Sequence, residues 1–261
     1  MGIVARIIDY SSRKRFFVFL NLFDAHAPRP RIPQGSPWDA GNRLQDRYDY
    51  AINLTDGYVG DLLDSLRARG VLDSTLVVIA SDHGEHMGEH GLKEHGNSLY
   101  LPVLHVPLLL RGPGIPGATR VTRLVTLRDL AETIRSSVNL PGAPFPGVSL
   151  APLWQGTGSA APSPVLAQII KGINTPPSDP VTLGTMNAVI GNDLHYVLWG
   201  DDREELYRLS TDPAQDSNLA ARPAQQAALD SARATLRGLL APGWQGSAPV
   251  PAPGMAAKVG H

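Results

Sequence analysis

The sequence predicts an α/β protein with a mostly parallel sheet flanked by helices, followed by a small C-terminal antiparallel sheet and a helix. Residues 75–80 form a continuous apolar run rich in β-branched side chains, which is typical of a strand buried on both faces. A helical pattern at residues 44–69 precedes that run, and another apolar run, residues 16–21, precedes the helix. Strand, helix, strand in this order predicts a parallel sheet. Two short apolar runs at residues 186–190 and 194–198 predict a β-hairpin.

Composition excludes several classes of function. The chain has 261 residues, enough for one large domain or two small ones. Its 23 basic and 24 acidic side chains give a net charge of −1, so we expect no nucleic-acid partner. The absence of cysteine excludes disulfides, thiolate zinc sites and a cysteine nucleophile within this sequence. No run approaches the roughly 20 apolar residues of a membrane span, so no membrane segment is predicted.

The elements of the first half follow from local patterns. Residues 16–21 are predicted as a buried strand, and three prolines in the loop that follows forbid a helix there. The helix at residues 44–69 carries apolar side chains three and four positions apart, and Gly70 follows it as a C-cap. Residues 106–110 are predicted as another apolar strand, and residues 127–138 as a helix.

Shifts in composition predict four segments along the chain. Residues 1–140 form the α/β portion, and residues 141–180, rich in Pro, Gly, Ser and Ala, form a connection with little regular structure. Residues 181–241 form a small β/α subdomain, and residues 242–261 a disordered tail. The subdomain is completed by two further predicted elements, a strand at residues 205–209 and a helix at residues 223–240.

The polar residues that could support chemistry are concentrated in one segment. Five of the eight histidines lie between His83 and His105, and four acidic residues lie between Asp82 and Glu94. Asp82 and His83 follow the apolar run of residues 75–80 directly, at the end of a strand where open α/β sheets bind ligands. A carboxylate oxygen and an imidazole nitrogen can both bind a divalent cation. Spacing alone leaves two alternatives, a metal site completed by ligands from elsewhere or a solvated loop whose histidines bond to the backbone.

Several segments together resemble a known family. Residues 81–92, Ser-Asp-His-Gly-Glu-His-Met-Gly-Glu-His-Gly-Leu, with residues 95–100 and 106–114, resemble the C-terminal half of a sulfatase, a branch of the alkaline phosphatase superfamily. Residues 19–26 resemble the family's earlier strand and histidine loop, and residues 205–213 together with residues 217–220 resemble its terminal segment. The resemblance implies an alkaline phosphatase-like fold and metal-assisted hydrolysis of a sulfate ester, carried by a small molecule or a glycan.

The resemblance also implies roles for individual residues. Asp82 and His83 would bind one divalent cation, Ca²⁺ or Mg²⁺, with Mn²⁺ and Zn²⁺ as alternatives. His26 would contact the sulfate group. Without the resemblance, the sequence around it favours a loop histidine packed among prolines. His95 would be the catalytic cation near the sulfate or the leaving oxygen, and Lys93 is the second candidate for that role, its other interpretation being a solvated loop lysine.

The other polar residues of this segment are predicted to be structural. His86, His90 and His105 are expected to support the loop, and Glu85 to be an exposed loop acid that could at most orient a ligand.

The sequence departs from the family pattern at the nucleophile. Sulfatases use a formylglycine made from the first residue of a Cys/Ser-x-Pro-x-Arg motif, and this sequence contains neither cysteine nor Ser-x-Pro-x-Arg. The family's N-terminal pair of metal-binding carboxylates also has no counterpart ahead of Phe16. We therefore expect this sequence to be the C-terminal portion of a longer protein, with the formylglycine upstream of Met1. Two other functions stay open, a phosphodiester or phosphonate ester hydrolase of the same superfamily and a non-catalytic remnant or binding domain.

Overall fold

A computed structural model describes most of the chain and divides it into two compact units. The residues described are 15–41, 43–156, 164–172, 175–191 and 193–241. The first unit contains the described residues up to Ala80 together with residues 107–117, and the second contains residues 81–106 and those from Ala118 onward.

The regular elements are these. The α-helices are α1 (Arg43–Ala68), α2 (Leu101–Leu104), α3 (Leu130–Ser137), α4 (Ala151–Gln155) and α5 (Gln226–Leu240). The strands are β1 (Val77–Ala80), β2 (His86–Met87), β3 (Lys93–Glu94), β4 (Leu108–Arg111), β5 (Val165–Ile169), β6 (Met186–Gly191), β7 (Leu194–Leu198) and β8 (Glu204–Arg208). Within the described residues, no helix combines the length and the apolar character needed to cross a bilayer.

Helix α1 of the first unit confirms the predicted helix and its end. Gly70 has a φ of 68°, a left-handed conformation that glycine adopts without steric cost. The N–H of Gly70 bonds to the carbonyl of Arg67 at 2.9 Å, and the N–H of Val71 bonds to that of Leu66 at 3.1 Å. This pair of bonds is a Schellman motif, so the helix ends where the glycine predicted that it would.

The sheet of the first unit differs from the prediction. β1 pairs with β4 in antiparallel register, from Val77 opposite Arg111 to Ala80 opposite Leu108. The parallel pairing predicted between residues 16–21 and β1 is absent, because residues 16–21 form no strand and β1 pairs with β4 instead. Residues 16–21 do not form the predicted strand.

Two aromatic side chains illustrate the second difference. Phe17 and Phe19 are 77% and 80% exposed, so this apolar run is not buried. A strand needs hydrogen-bonding neighbours, and in the described part of the chain β1 and β4 pair only with each other. Residues 16–21 therefore have no neighbouring strand to bond with in the described part of the chain.

The second unit is built on a four-stranded antiparallel sheet in the order β5-β6-β7-β8. The hairpin of β6 and β7 and the neighbouring strand β8 confirm the predicted elements, as do α3 and α5. The segment at residues 141–180 was predicted to have little regular structure, yet it contains α4 and β5. The apolar run of β5 is short, but the ladder it forms along the edge of β6 stabilises it as a strand. The tail at residues 242–261 lies outside the described residues.

The two faces of this sheet are both covered. Alternate residues of a strand point to opposite faces, so Val189 packs with Leu229 and Leu236 of α5 on one face. On the other face, Val197 belongs to a buried cluster with Tyr100, the residue just before α2. The sheet therefore supports the segment in which the candidate site lies.

Candidate active site

The candidate site lies in residues 81–96, here called the histidine loop. Its first turn is fixed on α2, because the N–H of Gly84 bonds to the carbonyl of Val103 at 2.9 Å and the N–H of Glu85 to that of Pro102 at 3.0 Å. The backbones approach so closely that a Cβ on Gly84 would lie 2.1 Å from the Pro102 oxygen. Only glycine fits this position, and the two bonds set the path of the chain around it.

The Asp82 carboxylate and the His83 imidazole lie side by side at the start of the histidine loop. His83 Nδ1 lies 2.9 Å from the carbonyl oxygen of Gly84. A carbonyl only accepts, so Nδ1 carries the hydrogen and Nε2 of the neutral ring holds the lone pair. That Nε2 lies 3.9 Å from Oδ2 of Asp82, whose side chain is 88% exposed. One oxygen and one nitrogen donor are thus presented together, close enough to be shared by a single divalent cation.

The pair supplies only part of a coordination sphere. Among the residues that the structure describes, no group of three or more His, Cys, Asp or Glu side chains could hold a metal ion. Cations of this kind take four to eight ligands, so this pair by itself could supply at most two of them.

His95 lies against His83. The two rings stack with their centroids 4.0 Å apart and their planes 27° apart. His95 Nδ1 also lies 2.9 Å from Oε1 of Glu85, whose side chain is only 5% exposed. A carboxylate accepts the hydrogen, so Glu85 fixes both the tautomer and the orientation of the ring.

Glu85 is the residue whose predicted exposure was wrong. Its backbone is fixed on α2 and its carboxylate faces His95, which together bury the side chain. An acid in a polar loop is usually solvated, and no sequence signal distinguishes the one that a neighbouring imidazole covers. The structure thus brings Asp82, His83, Glu85 and His95 together.

Within the described residues, the structure shows no contact that assigns a role to either of the other two candidates. Lys93 is exposed on β3, and its ammonium makes no hydrogen bond or ion pair with the described residues. His26 belongs to the first unit, where its Nδ1 lies 2.6 Å from the carbonyl oxygen of Ala27 and its ring lies 5.6 Å from that of Phe23. The roles of Lys93 and His26 stay predictions.

Two further histidines support the loop. His86 is fully buried, its Nε2 lies 2.8 Å from the Ser98 hydroxyl, and burial lowers the pKa of its ring. His90 stacks on Tyr100 with the ring centroids 3.8 Å apart. The Tyr100 hydroxyl donates to Glu205 on β8 at 2.9 Å, and burial together with the charge of Glu205 raises the tyrosine pKa.

Two buried residues, Gln215 and His195, form a hydrogen-bonded pair at the start of α2 that the sequence analysis did not identify. The N–H of Leu101 donates to Oε1 of Gln215 at 2.7 Å, and Nε2 of Gln215 lies 2.7 Å from Nδ1 of His195. Burial lowers the pKa of His195 to about 4, so the ring is neutral near pH 7. The only signal that the sequence offers for Gln215 is its position between residues 205–213 and residues 217–220, the two pieces that resemble the terminal segment of the family.

Comparisons with known proteins show which family the sequence is similar to. Residues 3–139 match the family model described as Sulfatase. The chain is 32% identical over 184 residues to a choline-sulfatase of Rhizobium meliloti (strain 1021), a match that covers 69% of this chain and 34% of that protein. The chain therefore spans about a third of the length of this curated relative.

Solved structures give the same result for the fold. A 2-O GAG sulfatase superposes with a TM-score of 0.66 at 26% identity, covering 74% of this chain and 42% of that one. A phosphonate monoester hydrolase from Silicibacter pomeroyi superposes with a TM-score of 0.59 at 25% identity, covering 75% and 39%. These similarities confirm the α/β fold class that the sequence predicted.

Proposed function

The chain belongs to the sulfatase family, and from that premise we propose that it supplies the metal-binding and histidine part of an active site that hydrolyses sulfate esters. The observation that carries the proposal is the joint geometry of Asp82, His83 and His95. His83 keeps Nε2 as a donor beside the Asp82 carboxylate, and His95 stacks on the same ring. The substrate class is a sulfate ester of a small molecule or a glycan.

Each residue has a distinct role in this proposal. Asp82 and His83 hold a divalent cation, Ca²⁺ or Mg²⁺, which when bound polarises the sulfate oxygens and stabilises an anionic nucleophile. His95, held by Glu85, stabilises the negative charge that develops on the leaving oxygen or donates a proton to it. His26 contacts the sulfate group, and Lys93 is the second candidate for the role of His95.

The nucleophile is proposed to be a formylglycine outside this sequence. The support is the absence of both cysteine and a Ser-x-Pro-x-Arg motif. An antibody raised against this chain should therefore detect an endogenous protein well above 27.9 kDa on an immunoblot. A single band at 27.9 kDa would contradict the upstream nucleophile and leave the sulfatase likeness as ancestry.

Metal binding can be tested on this chain directly. Ca²⁺ or Mg²⁺ at a hundredfold excess over Kd should stabilise the folded state by about 2.7 kcal/mol, measured as a rise in Tm, because the cation binds only the folded state. Asp82→Ala should abolish the rise. Asp216→Ala, which removes an exposed carboxylate of the same unit, should leave it unchanged. A rise that persists in Asp82→Ala would place the cation elsewhere and contradict the proposal.

A second candidate function is hydrolysis of a phosphonate or phosphodiester. The likeness to a phosphonate monoester hydrolase favours it, and a carboxylate–imidazole pair also suits Mn²⁺ or Zn²⁺. The endogenous protein, captured with the same antibody, should hydrolyse 4-nitrophenyl sulfate faster than 4-nitrophenyl phenylphosphonate. The reverse order would establish the second function. No hydrolysis of either ester, together with no stabilisation by a cation, would indicate a non-catalytic remnant.

A further inference from the structure

A continuous set of hydrogen bonds joins the C-terminal sheet to the histidine loop. It begins at His195 on β7, whose Nδ1 meets Nε2 of Gln215, and passes from Oε1 of Gln215 to the N–H of Leu101, each at 2.7 Å. Leu101 is the first residue of α2. Gln215 is 1% exposed and His195 is fully buried, so neither bond competes with water.

Helix α2 links Gln215 to the site through its own backbone carbonyls. The carbonyls of Pro102 and Val103, the two residues after Leu101, accept the N–H groups of Glu85 and Gly84. The carbonyl of Gly84 in turn fixes the His83 ring, and the carboxylate of Glu85 fixes the His95 ring. Displacement of the α2 backbone would therefore displace the atoms from which both rings take their orientation.

The buried pair Gln215 and His195 has one arrangement of hydrogen atoms that satisfies Leu101. The N–H of Leu101 requires an oxygen acceptor, so the Gln215 amide must place Oε1 there and donate through Nε2 to His195. His195 then carries its hydrogen on Nε2, which has no hydrogen-bond partner among the described residues. An unpaired buried N–H is costly, and an apolar residue in place of His195 would move that cost to Nε2 of Gln215, which would lose its acceptor.

We propose that Gln215 is a positioning residue for the histidine loop: by holding the N–H of Leu101 it fixes α2, and through α2 it sets the orientation of His83 and His95. What the two histidines do rests on the proposed function, whereas their positioning does not. The C-terminal sheet is then part of the scaffold of the site.

A second contact, made by Tyr100, ties the residue before α2 to the sheet independently of Gln215. The hydroxyl of Tyr100, the residue before Leu101, donates to Glu205 at 2.9 Å, and its ring packs edge-on against Tyr207. Loss of the Gln215 bond should therefore loosen α2 locally and leave the sheet folded.

The test uses the 261-residue chain without substrate or cation, and its readouts are histidine-ring NMR signals and amide hydrogen exchange. In Gln215→Met, exchange of the Leu101 amide should accelerate by about fivefold to tenfold, as expected for loss of one buried hydrogen bond. The ring signals of His83 and His95 should shift or broaden. Tyr196→Phe is the matched control, because it removes a 2.6 Å bond to Glu204 within the same sheet but outside this connection.

A conservative variant separates positioning from general support. Gln215→Glu keeps an oxygen acceptor for Leu101, so the ring signals of His83 and His95 should return, while His195 changes tautomer to donate from Nδ1. Should Gln215→Met fail to fold, Gln215→Asn replaces it with the same expectation, since the shorter side chain cannot span both partners.

Three outcomes would overturn the inference. The first is that the ring signals of His83 and His95 are unchanged in Gln215→Met. The second is that these signals change as much in Tyr196→Phe as in Gln215→Met. The third is that they do not return to their original positions in Gln215→Glu. Since none of these readouts uses hydrolysis or metal binding, the inference can fail while the proposed function stands, and the reverse.

Discussion

His83 and His95 stack face to face with ring centroids 4.0 Å apart, although twelve positions separate them in the sequence. Each ring is also held at its Nδ1 by a different group, the Gly84 carbonyl for His83 and the Glu85 carboxylate for His95. Adjacent residues thus orient both imidazoles. The stack ties the proposed metal ligand to the proposed catalytic histidine, so rotation of one ring requires movement of the other.

Glu85→Gln should release the His95 ring without unfolding the loop. The amide keeps the size of the carboxylate but replaces a charge-assisted hydrogen bond with a neutral one of about half the strength. The ratio of His95 rings with hydrogen on Nδ1 to those with hydrogen on Nε2 should fall by about fivefold for a loss of about 1 kcal/mol. Ring NMR shifts of the His95 nitrogens at pH 8 measure this ratio.

The matched control for that variant is Glu94→Gln. It makes the same charge change at an exposed carboxylate of β3, in the same loop. The His95 tautomer ratio should not change. If both variants alter the ratio equally, the net charge of the loop and not the bond to Glu85 sets the tautomer.

Gly84→Ala should destabilise the second unit and disturb the site. The new Cβ would lie 2.1 Å from the carbonyl oxygen of Pro102, a backbone atom that can move only with α2. Overpacking of this kind costs about 1–3 kcal/mol, measured as the free energy of unfolding in urea. Gly238→Ala provides a control of opposite sign, because nothing lies within 4 Å of its Cβ in α5, and helix propensity should raise stability by up to about 1 kcal/mol. A Gly84→Ala variant as stable as the parent chain would contradict the close approach.

Thr133→Val should loosen the segment that follows α3. The Thr133 hydroxyl is fully buried, donates to the carbonyl of Asp129 at 2.6 Å and accepts the N–H of Leu150 at 2.9 Å. Valine has nearly the same shape but leaves the Leu150 N–H unpaired, at a cost of about 1–3 kcal/mol in the free energy of unfolding. Thr235→Val removes a hydroxyl that makes the same helical bond, 2.9 Å to Ser231, at a position that is not buried. Its cost should stay below about 0.5 kcal/mol, and equal losses would contradict the role of burial.

Elements specified by neighbouring residues were predictable from the sequence. The apolar spacing of α1 and its Gly70 cap lie within one segment, and the hairpin of β6 and β7 needs only adjacent runs. The pairing of β1 with β4 was not predictable in the same way. It depends on which distant strand meets β1, and an apolar run such as residues 16–21 does not specify its partner.

The candidate site shows the same division. Asp82, His83 and His95 lie in one short segment that resembles a known motif, so the sequence was sufficient to select them. Glu85 and Gln215 have their roles through burial and through contacts 10 and 114 positions away along the chain. Neither property is encoded in local spacing, so the residues that orient the site become apparent only in the folded chain.

His195 should make the chain less stable as the pH falls below 6.5. Burial lowers the pKa of His195 in the folded state to about 4, whereas an unfolded histidine titrates near about 6.5. Above both values the ring is neutral in both states and its contribution to stability is complete. Between them only the unfolded chain gains the proton, so the free energy of unfolding falls by about 1.4 kcal/mol per pH unit, or about 3 kcal/mol in total. Burial of His86 lowers its pKa too and acts in the same direction.

Urea unfolding at pH 7.5 and pH 5 measures this dependence, and His195→Leu isolates the contribution of one ring. The variant loses the acceptor for Gln215, so its absolute stability differs, but its decrease between the two pH values should be smaller by about 2 kcal/mol. Because only the decrease in the free energy of unfolding between the two pH values is compared, the result does not depend on the cost of the substitution itself. A variant with the same decrease as the parent chain would contradict the burial of a neutral imidazole on β7, and with it the direction of the Gln215 hydrogen bond.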